Sequence, residues 1–151
     1  MNLSYEDIAN DNFKELIYYK IKNIRNPENI IFEILESDYI KDFSIVEGFI
    51  KSIRIYGCKI AIDDFGSGYS SVENILKLKP DIIKIDGSLI KNIDFSNESK
   101  TIVKNIIIMA RELGAKTVAE YVHFLEVFEI VKYLGVDFVQ GFYLAKPTNK
   151  I

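Results

Sequence analysis

The sequence predicts an α/β protein of repeated β-α units, arranged as a (β/α)8 barrel of TIM type. Three observations carry that expectation. Short, nearly continuous apolar runs rich in β-branched residues alternate with longer segments of helical period, the pattern of parallel strands buried on both faces. Glycine or proline stands just before four of the runs, at Gly57, Pro80, Gly114 and Gly135, where a helix should stop and the chain should turn. Each run also carries a polar residue at or near its C-terminal end: Glu33, Asp63 with Asp64, Lys84, Glu120 and Gln140. In a β/α barrel those ends converge on one mouth. In a doubly wound sheet only residues beside the switch point could share a ligand.

From the N-terminus, "NLSYEDIANDNFKELIYYKIKNI" contains a helix, and "IIFEILES" (30–37) is the first strand-like run. "FSIVEGFIKSIRIYG" (43–57) has helical period, and "KIAIDDFG" (59–66) and "DIIKIDG" (81–87) read as strands. The clearest helix lies in 96–114, where Ile102, Val103, Ile106, Ile107, Ala110 and Leu113 form one apolar stripe. Ser96 or Ser99 can cap its start and Gly114 its end. "AKTVAEYV" (115–122) reads as a strand, "HFLEVFEIVKYLG" (123–135) as a helix opened by His123, and "VDFVQGFYL" (136–144) as the last strand.

With 151 residues the chain makes one domain, 1–151, and is too short for two. Hydrophobic residues make up 48% and charged residues 27%, a globular balance. The net charge of −3 argues against a surface for DNA, RNA or anionic membrane, though not against a small phosphate ligand held locally by metal. The single cysteine, Cys58, excludes an intrachain disulfide and reads as a small buried hydrophobe. A reducing, cytoplasmic setting fits. No run approaches the roughly 20 apolar residues of a membrane span, and the first residues lack signal-peptide character.

An aspartate pair at the end of an apolar run is unusual, because a turn that needed a cap would use one. Three carboxylates, two of them adjacent, suit hard cations such as Mg²⁺ or Mn²⁺. A shared carboxylate can hold two such ions about 4 Å apart, the geometry that cleaves phosphodiesters. Asp63 can bridge and Asp64 serve the second ion, provided both turn toward the mouth just past the strand. Lys84 can then orient the attacking water or offset charge on phosphate oxygens, and Glu120 can take the water's proton or ligate the second ion. Gly66, Ser67 and Gly68 make a tight active-site loop. Alone, each has a plainer reading: Asp-Asp-Phe-Gly as a turn, Lys84 as a solvated strand end, Glu120 as a helix cap, Gln140 as a partner for buried backbone. Five polar strand ends in register speak for a site.

"FEILES", "IAIDDFGSGYSS", "KPDIIKIDGSLI", "VAEYV" and "VDFVQGFYLAKP", in that order, resemble the EAL domain, a family of bacterial phosphodiesterases that hydrolyse cyclic di-GMP to linear pGpG. The resemblance implies an asparagine metal ligand at Asn2, a glutamate ligand at Glu33, the shared aspartate at Asp63 and its partner at Asp64. It implies a water-positioning lysine at Lys84, a general base or second-metal ligand at Glu120 and a glutamine lining the site at Gln140. Glu36 resembles the glutamate that anchors the Asp-Phe-Gly loop and couples metal site to dimer interface.

Two departures stand out. Where the family has Ala-Glu-Gly-Val-Glu, this chain has "AEYVH", with Tyr121 for glycine and His123 for the second glutamate. The Glu-Ala-Leu segment is absent, and a complete barrel takes roughly 250 residues. The expectation is therefore an incomplete, EAL-like barrel, its C-terminal two-thirds, lacking one glutamate ligand; Met1 is either a true start or a boundary within a longer protein. Open edges invite a homodimer or other self-association. The implied activity is two-metal hydrolysis of cyclic di-GMP. Its rivals are a module that binds the dinucleotide without cleaving it and a dimerisation scaffold that ignores both metal and nucleotide.

Overall fold

A computed structural model describes residues 1–68 and 72–145; the loop hydroxyls of Ser70 and Ser71 lie outside the described residues. Six strands carry the fold: β1 (Asn2–Leu3), β2 (Ile31–Leu35), β3 (Lys59–Phe65), β4 (Ile82–Ile85), β5 (Lys116–Ala119) and β6 (Phe138–Val139). Between them lie α1 (Tyr5–Ala9), α2 (Asp11–Lys22), α3 (Glu36–Lys41), α4 (Phe43–Arg54), α5 (Val72–Leu78), α6 (Gly87–Ile90), α7 (Asn97–Leu113) and α8 (Leu125–Leu134). All strand pairs are parallel and lie in sequence order, β1 to β6. An order with no reversal has no switch point, which selects the barrel over the doubly wound sheet. The fold is an incomplete β/α barrel.

Strand side chains alternate between faces, so the register decides which residues meet. Phe32 and Ile34 pair with Ile60 and Ile62, Ile62 pairs with Ile83, and Ile83 and Ile85 pair with Thr117 and Ala119. All of these are buried, and α4 and α7 pack over this face. Helix α4 buries Val46, Phe49, Ile50 and Ile53, and α7 buries Val103, Ile106, Ile107 and Ala110. Phe32 meets the edge of Phe49 at 5.9 Å between ring centres. The alternate positions face the barrel interior.

Caps set the helix ends. Ser4 and Asp7 form a reciprocal capping box at α1, and the Ser96 hydroxyl accepts from the Ser99 N–H at α7. Gly114 and Gly135 close α7 and α8 at φ +72° and +89°, a conformation a side chain would resist.

Several sequence expectations change in detail. The N-terminal segment opens with β1 before its helices, and two residues are too few to show a periodic signal. The 43–57 helix ends at Arg54. The 136–144 run contributes only Phe138–Val139 to the ladder, because Gly141 begins a turn. His123 precedes α8, whose cap is Phe124. Ile102 leaves the stripe of α7, being exposed.

Two aspartates tie strands together at the end remote from the mouth. Asp81 accepts from the Ile60 N–H at 2.8 Å. Asp137 accepts from the Thr117 N–H at 2.9 Å, from its hydroxyl at 3.0 Å and from Lys116 at 2.8 Å. Burial opposes the Asp137 charge, but Lys116 and Thr117 outweigh it and hold the carboxyl below its usual range. Replacing Asp137 by alanine leaves the buried Thr117 N–H unpaired and its hydroxyl without an acceptor, so Asp137→Ala should lower unfolding free energy by roughly 1–3 kcal/mol. Urea denaturation checks this; an unchanged midpoint would show that water replaces the carboxylate at no cost.

Candidate active site

The register that buries one face collects the polar residues on the other. Asn2 pairs with Glu33, Glu33 with Ala61, and Leu35 with Asp63. Ala61 pairs with Ile82 and Lys84 with Val118, which pairs with Phe138. By the two-residue period Asn2, Glu33, Asp63, Lys84, Glu120 and Gln140 all belong to the inner face.

Asp64 would point away in a regular strand. The β3–β4 register shifts between Ile62 and Phe65, so that Ile62 meets Ile83 and Phe65 meets Ile85. That bulge places one extra residue on β3. Asp64 takes φ +54° there and its N–H donates to Asp63 Oδ1 at 3.1 Å. One ligand oxygen from each of Asp63, Asp64 and Glu120 then lies within 4.8 Å of the others. A turn past the strand end, as the sequence suggested, is unnecessary, because the bulge lies inside the strand.

Lys84 is the centre of charge, with its side chain 12% exposed. Its ammonium donates to Glu33 Oε2 at 2.7 Å and Asp63 Oδ1 at 2.8 Å, and lies 2.9 Å from Glu120 Oε1. Burial disfavours the charged ammonium, but hydrogen bonds with Asp63, Glu33 and Glu120 outweigh it and hold its pKa well above the ordinary lysine value. The Glu120 carboxyl is pushed up by burial, against the pull of Lys84 and with added repulsion from Asp63 and Asp64. Asp64 is likewise pushed up, first by burial and then by Asp63 and Asp86.

Two clefts flank this centre. One, of about 320 Å³, is lined by Asn2, Ser4, Asp7, Glu33 and Asp63. The other, of about 440 Å³, is lined by Asp64, Asp86, Glu120, Tyr121, His123 and Gln140. Glu36 stands behind them, 1% exposed, with Oε2 accepting from the Gly66 N–H at 2.9 Å. Gly66 and Gly68 face a different, apolar groove with Ile102, Ile106 and Met109, and Ser67 is exposed. The structure does not bring that loop segment into the two clefts.

Asp86 escaped the sequence reading. "KIDG" looks like a strand end with a turn, and Asp86 does cap α6, accepting from the Ser88 N–H at 2.8 Å. Its position two residues after Lys84 is the signal that places it on the same face. Tyr121 also joins the site, at φ +59°, strain of order 1–3 kcal/mol for a bulky residue.

The donor set is chemically suited to divalent metal: oxygen-only, several times negative, and already gathered around one cation. Asp63 and Asp64 would hold one ion with Glu120 beside it, and Asn2, Glu33 and Asp63 line the cleft for another.

Comparison with known proteins agrees with the geometry. Residues 1–147 match the EAL domain family model, and the chain belongs to that family. It is 34% identical over 148 residues to a cyclic di-GMP phosphodiesterase PdeA of Borreliella burgdorferi, covering 97% of this chain and 22% of that protein. A solved structure of the PaMucR phosphodiesterase in complex with c-di-GMP superposes with a TM-score of 0.89 at 30% identity, over 97% of this chain and 60% of that one. A Klebsiella pneumoniae BlrP1 complex with manganese and cy-diGMP gives 0.85 at 29% identity, over 94% and 37%. The chain thus spans about a fifth of the Borreliella protein's length.

Removing the Lys84 charge leaves Glu33, Asp63 and Glu120 facing one another with no cation between them. Lys84→Met should therefore destabilise the metal-free protein by roughly 3 kcal/mol, and millimolar Mn²⁺ should recover a larger share of stability in the variant than in the wild type. Thermal unfolding with and without Mn²⁺ checks both; a variant as stable as wild type without metal would show that the carboxylates simply take up protons.

Proposed function

We propose that this member of the EAL family carries the metal-binding and water-activating side of a phosphodiesterase that hydrolyses cyclic di-GMP to linear pGpG. The observation that carries the reading is the convergence of Asp63, Asp64 and Glu120 within 4.8 Å beside Lys84. The named activity of the Borreliella relative and the ligand of the PaMucR structure supply the substrate. Mg²⁺ or Mn²⁺ suits the all-oxygen donor set, and a manganese complex is known for the BlrP1 relative. The reading includes one domain over 1–151, a homodimer formed through open barrel surfaces, and a cytoplasmic location, where such a messenger would be met. Among the described residues no helix is long and apolar enough to cross a membrane.

When bound, two such cations withdraw charge from phosphoryl oxygens and acidify water. The protein's own residues do the rest. Asn2, Glu33, Asp63 and Asp64 would hold the cations, Asp63 being the residue that both lines the cleft of Asn2 and Glu33 and lies beside Asp64. Lys84, tethered by three carboxylates, holds a fixed positive charge beside the reacting phosphate and offsets charge that grows on its oxygens. Glu120, its pKa raised by burial, accepts one proton from that water. The water oxygen forms a bond to phosphorus, one ester P–O bond of the ring breaks, and the departing sugar oxygen leaves as a hydroxyl protonated from solvent. Gln140 lines the cleft beside Glu120 and Glu36 holds the Gly66 backbone.

Hydrolysis by the 151-residue chain with Mn²⁺ tests this. Asp63→Asn should cut kcat/KM at least 10²-fold, and chelation should abolish turnover. Linear product from the variant at the wild-type rate would sink the assignment, and binding without turnover by wild type would leave the non-catalytic module. Glu120 and Asp64 are pushed up from ordinary carboxyl values, so both gain protons as pH falls toward the carboxylate range from above. In the metal-free protein both should therefore begin to take up protons above the usual carboxylate range, which NMR titration of the carboxyl carbons checks; titration of Glu120 at or below the ordinary glutamate range would contradict the effect of burial.

A further inference from the structure

The two residues that depart from the family pattern at "AEYVH" lie in ring contact at the mouth. Tyr121 and His123 stack at 3.8 Å between ring centres with 26° between planes, and His123 Nδ1 lies 2.9 Å from the Tyr121 carbonyl oxygen. Phe142 adds a third ring 5.0 Å from His123. Tyr121 keeps φ +59° although the residue is 48% exposed, so burial in the core does not offset the strain. Gly87 makes room for it: a Cβ there would sit 2.9 Å from Tyr121 Cβ. A strained, exposed aromatic held in place at a site is a feature to be explained by what it touches.

The stacked pair is a shared wall. On one side lies the cleft of Asp64, Glu120 and Gln140; on the other lies a cleft of about 580 Å³ with Lys91, Asn92, Asp94, Phe95, Phe124 and Glu126. Aromatic faces suit a nucleobase of any kind, and acceptor carboxylates beside them suit a base edge rich in N–H groups. Asp94 and Glu126 supply such acceptors.

We propose that Tyr121, buttressed by His123, is a base-stacking platform that holds one guanine of the dinucleotide beside the scissile phosphodiester. The proposal rests on the substrate reading above and makes Tyr121 a positioning residue that acts through the base. Its ring fixes the nucleoside, and the phosphate is thereby registered over Asp64 and Glu120.

Calorimetric titration of the full chain with cyclic di-GMP in Ca²⁺ tests it, using wild type, Tyr121→Ala and Tyr121→Phe. Stacking of one base predicts a Kd weakened on the order of 10- to 100-fold for Tyr121→Ala and nearly retained for Tyr121→Phe, which keeps the ring. Turnover of bis(p-nitrophenyl) phosphate, a diester without a base, separates stacking from damage to the site. The loss for cyclic di-GMP in kcat/KM should exceed the loss for that diester by the same factor, chiefly through KM. An unchanged Kd in Tyr121→Ala, an equal loss in Tyr121→Phe, or parallel losses on both diesters overturns the platform. A wild type that binds cyclic di-GMP without cleaving it removes the phosphodiesterase reading while the Kd comparison still decides the platform. A wild type that binds no cyclic di-GMP removes both.

Discussion

One lysine ammonium, held by carboxylates from three other segments of the barrel, is the interaction on which the site depends. Glu33 comes from β2, Asp63 from β3 and Glu120 from just past β5, and all three reach Lys84 of β4. Burying that many charges is tolerable only when each is paired and held in place. Among the described residues, Asp64 and Asp86, with Asp7 in the neighbouring cleft, add further carboxylates around the one lysine. The excess of negative charge is the electrostatic argument for cations of higher charge, and the shared position of Asp63 is the geometric argument for more than one.

Lys84 can reach all three partners because the sheet register is not free to slip. A one-residue slip of β2 or β3 would send its isoleucines into the mouth and its carboxylates under the helices. Phe32, Ile34, Ile60, Ile62, Ile83 and Ile85 are fully buried or nearly so on the helix-covered face, so hydrophobic burial holds the polar face in alignment. Among the described residues the bulge at Asp64 is where the two-residue period is broken, and it turns an aspartate pair that would straddle the strand into a pair on one side. Glu36, buried at the start of α3, holds the next backbone N–H but one, at Gly66. The distortion is therefore bracketed by an intact ladder before it and a buried carboxylate after it.

Which parts of this were legible in the sequence follows from where the information lies. β2, β3, β4 and β5 announce themselves because each buries a whole face and needs an apolar run. β1 and the ladder of β6 are two residues each and leave no period to detect. The inner-face residues Glu33, Asp63, Lys84, Glu120 and Gln140 stood out as polar groups interrupting apolar runs. Asp86 did not, because "IDG" carries an ordinary capping signal and the residue in fact caps α6. Asn2 was placed only by family resemblance, since nothing local in "MNLS" marks a ligand. Ile102 fitted the apolar stripe by spacing yet faces the groove beside Gly66 and Gly68, as expected where periodicity reports a face but not what covers it.

Tyr121 is the residue at which local preference and site geometry conflict most openly. A left-handed backbone position favours glycine, and the sequence places a large aromatic there, one residue after Glu120. Sequence pattern alone reads this as a perturbed loop. The structure shows a consistent arrangement instead: Gly87 gives space, His123 stacks on the ring, and the Val122 backbone on either side is tied to Gln140 and Tyr143 by hydrogen bonds of 3.0 and 3.1 Å. Loops at strand ends vary without cost to the barrel because the apolar ladder beneath them carries the stability. A strain localised at such a loop, braced by a glycine on one neighbour and by backbone bonds on another, persists only where the surrounding structure over-determines it.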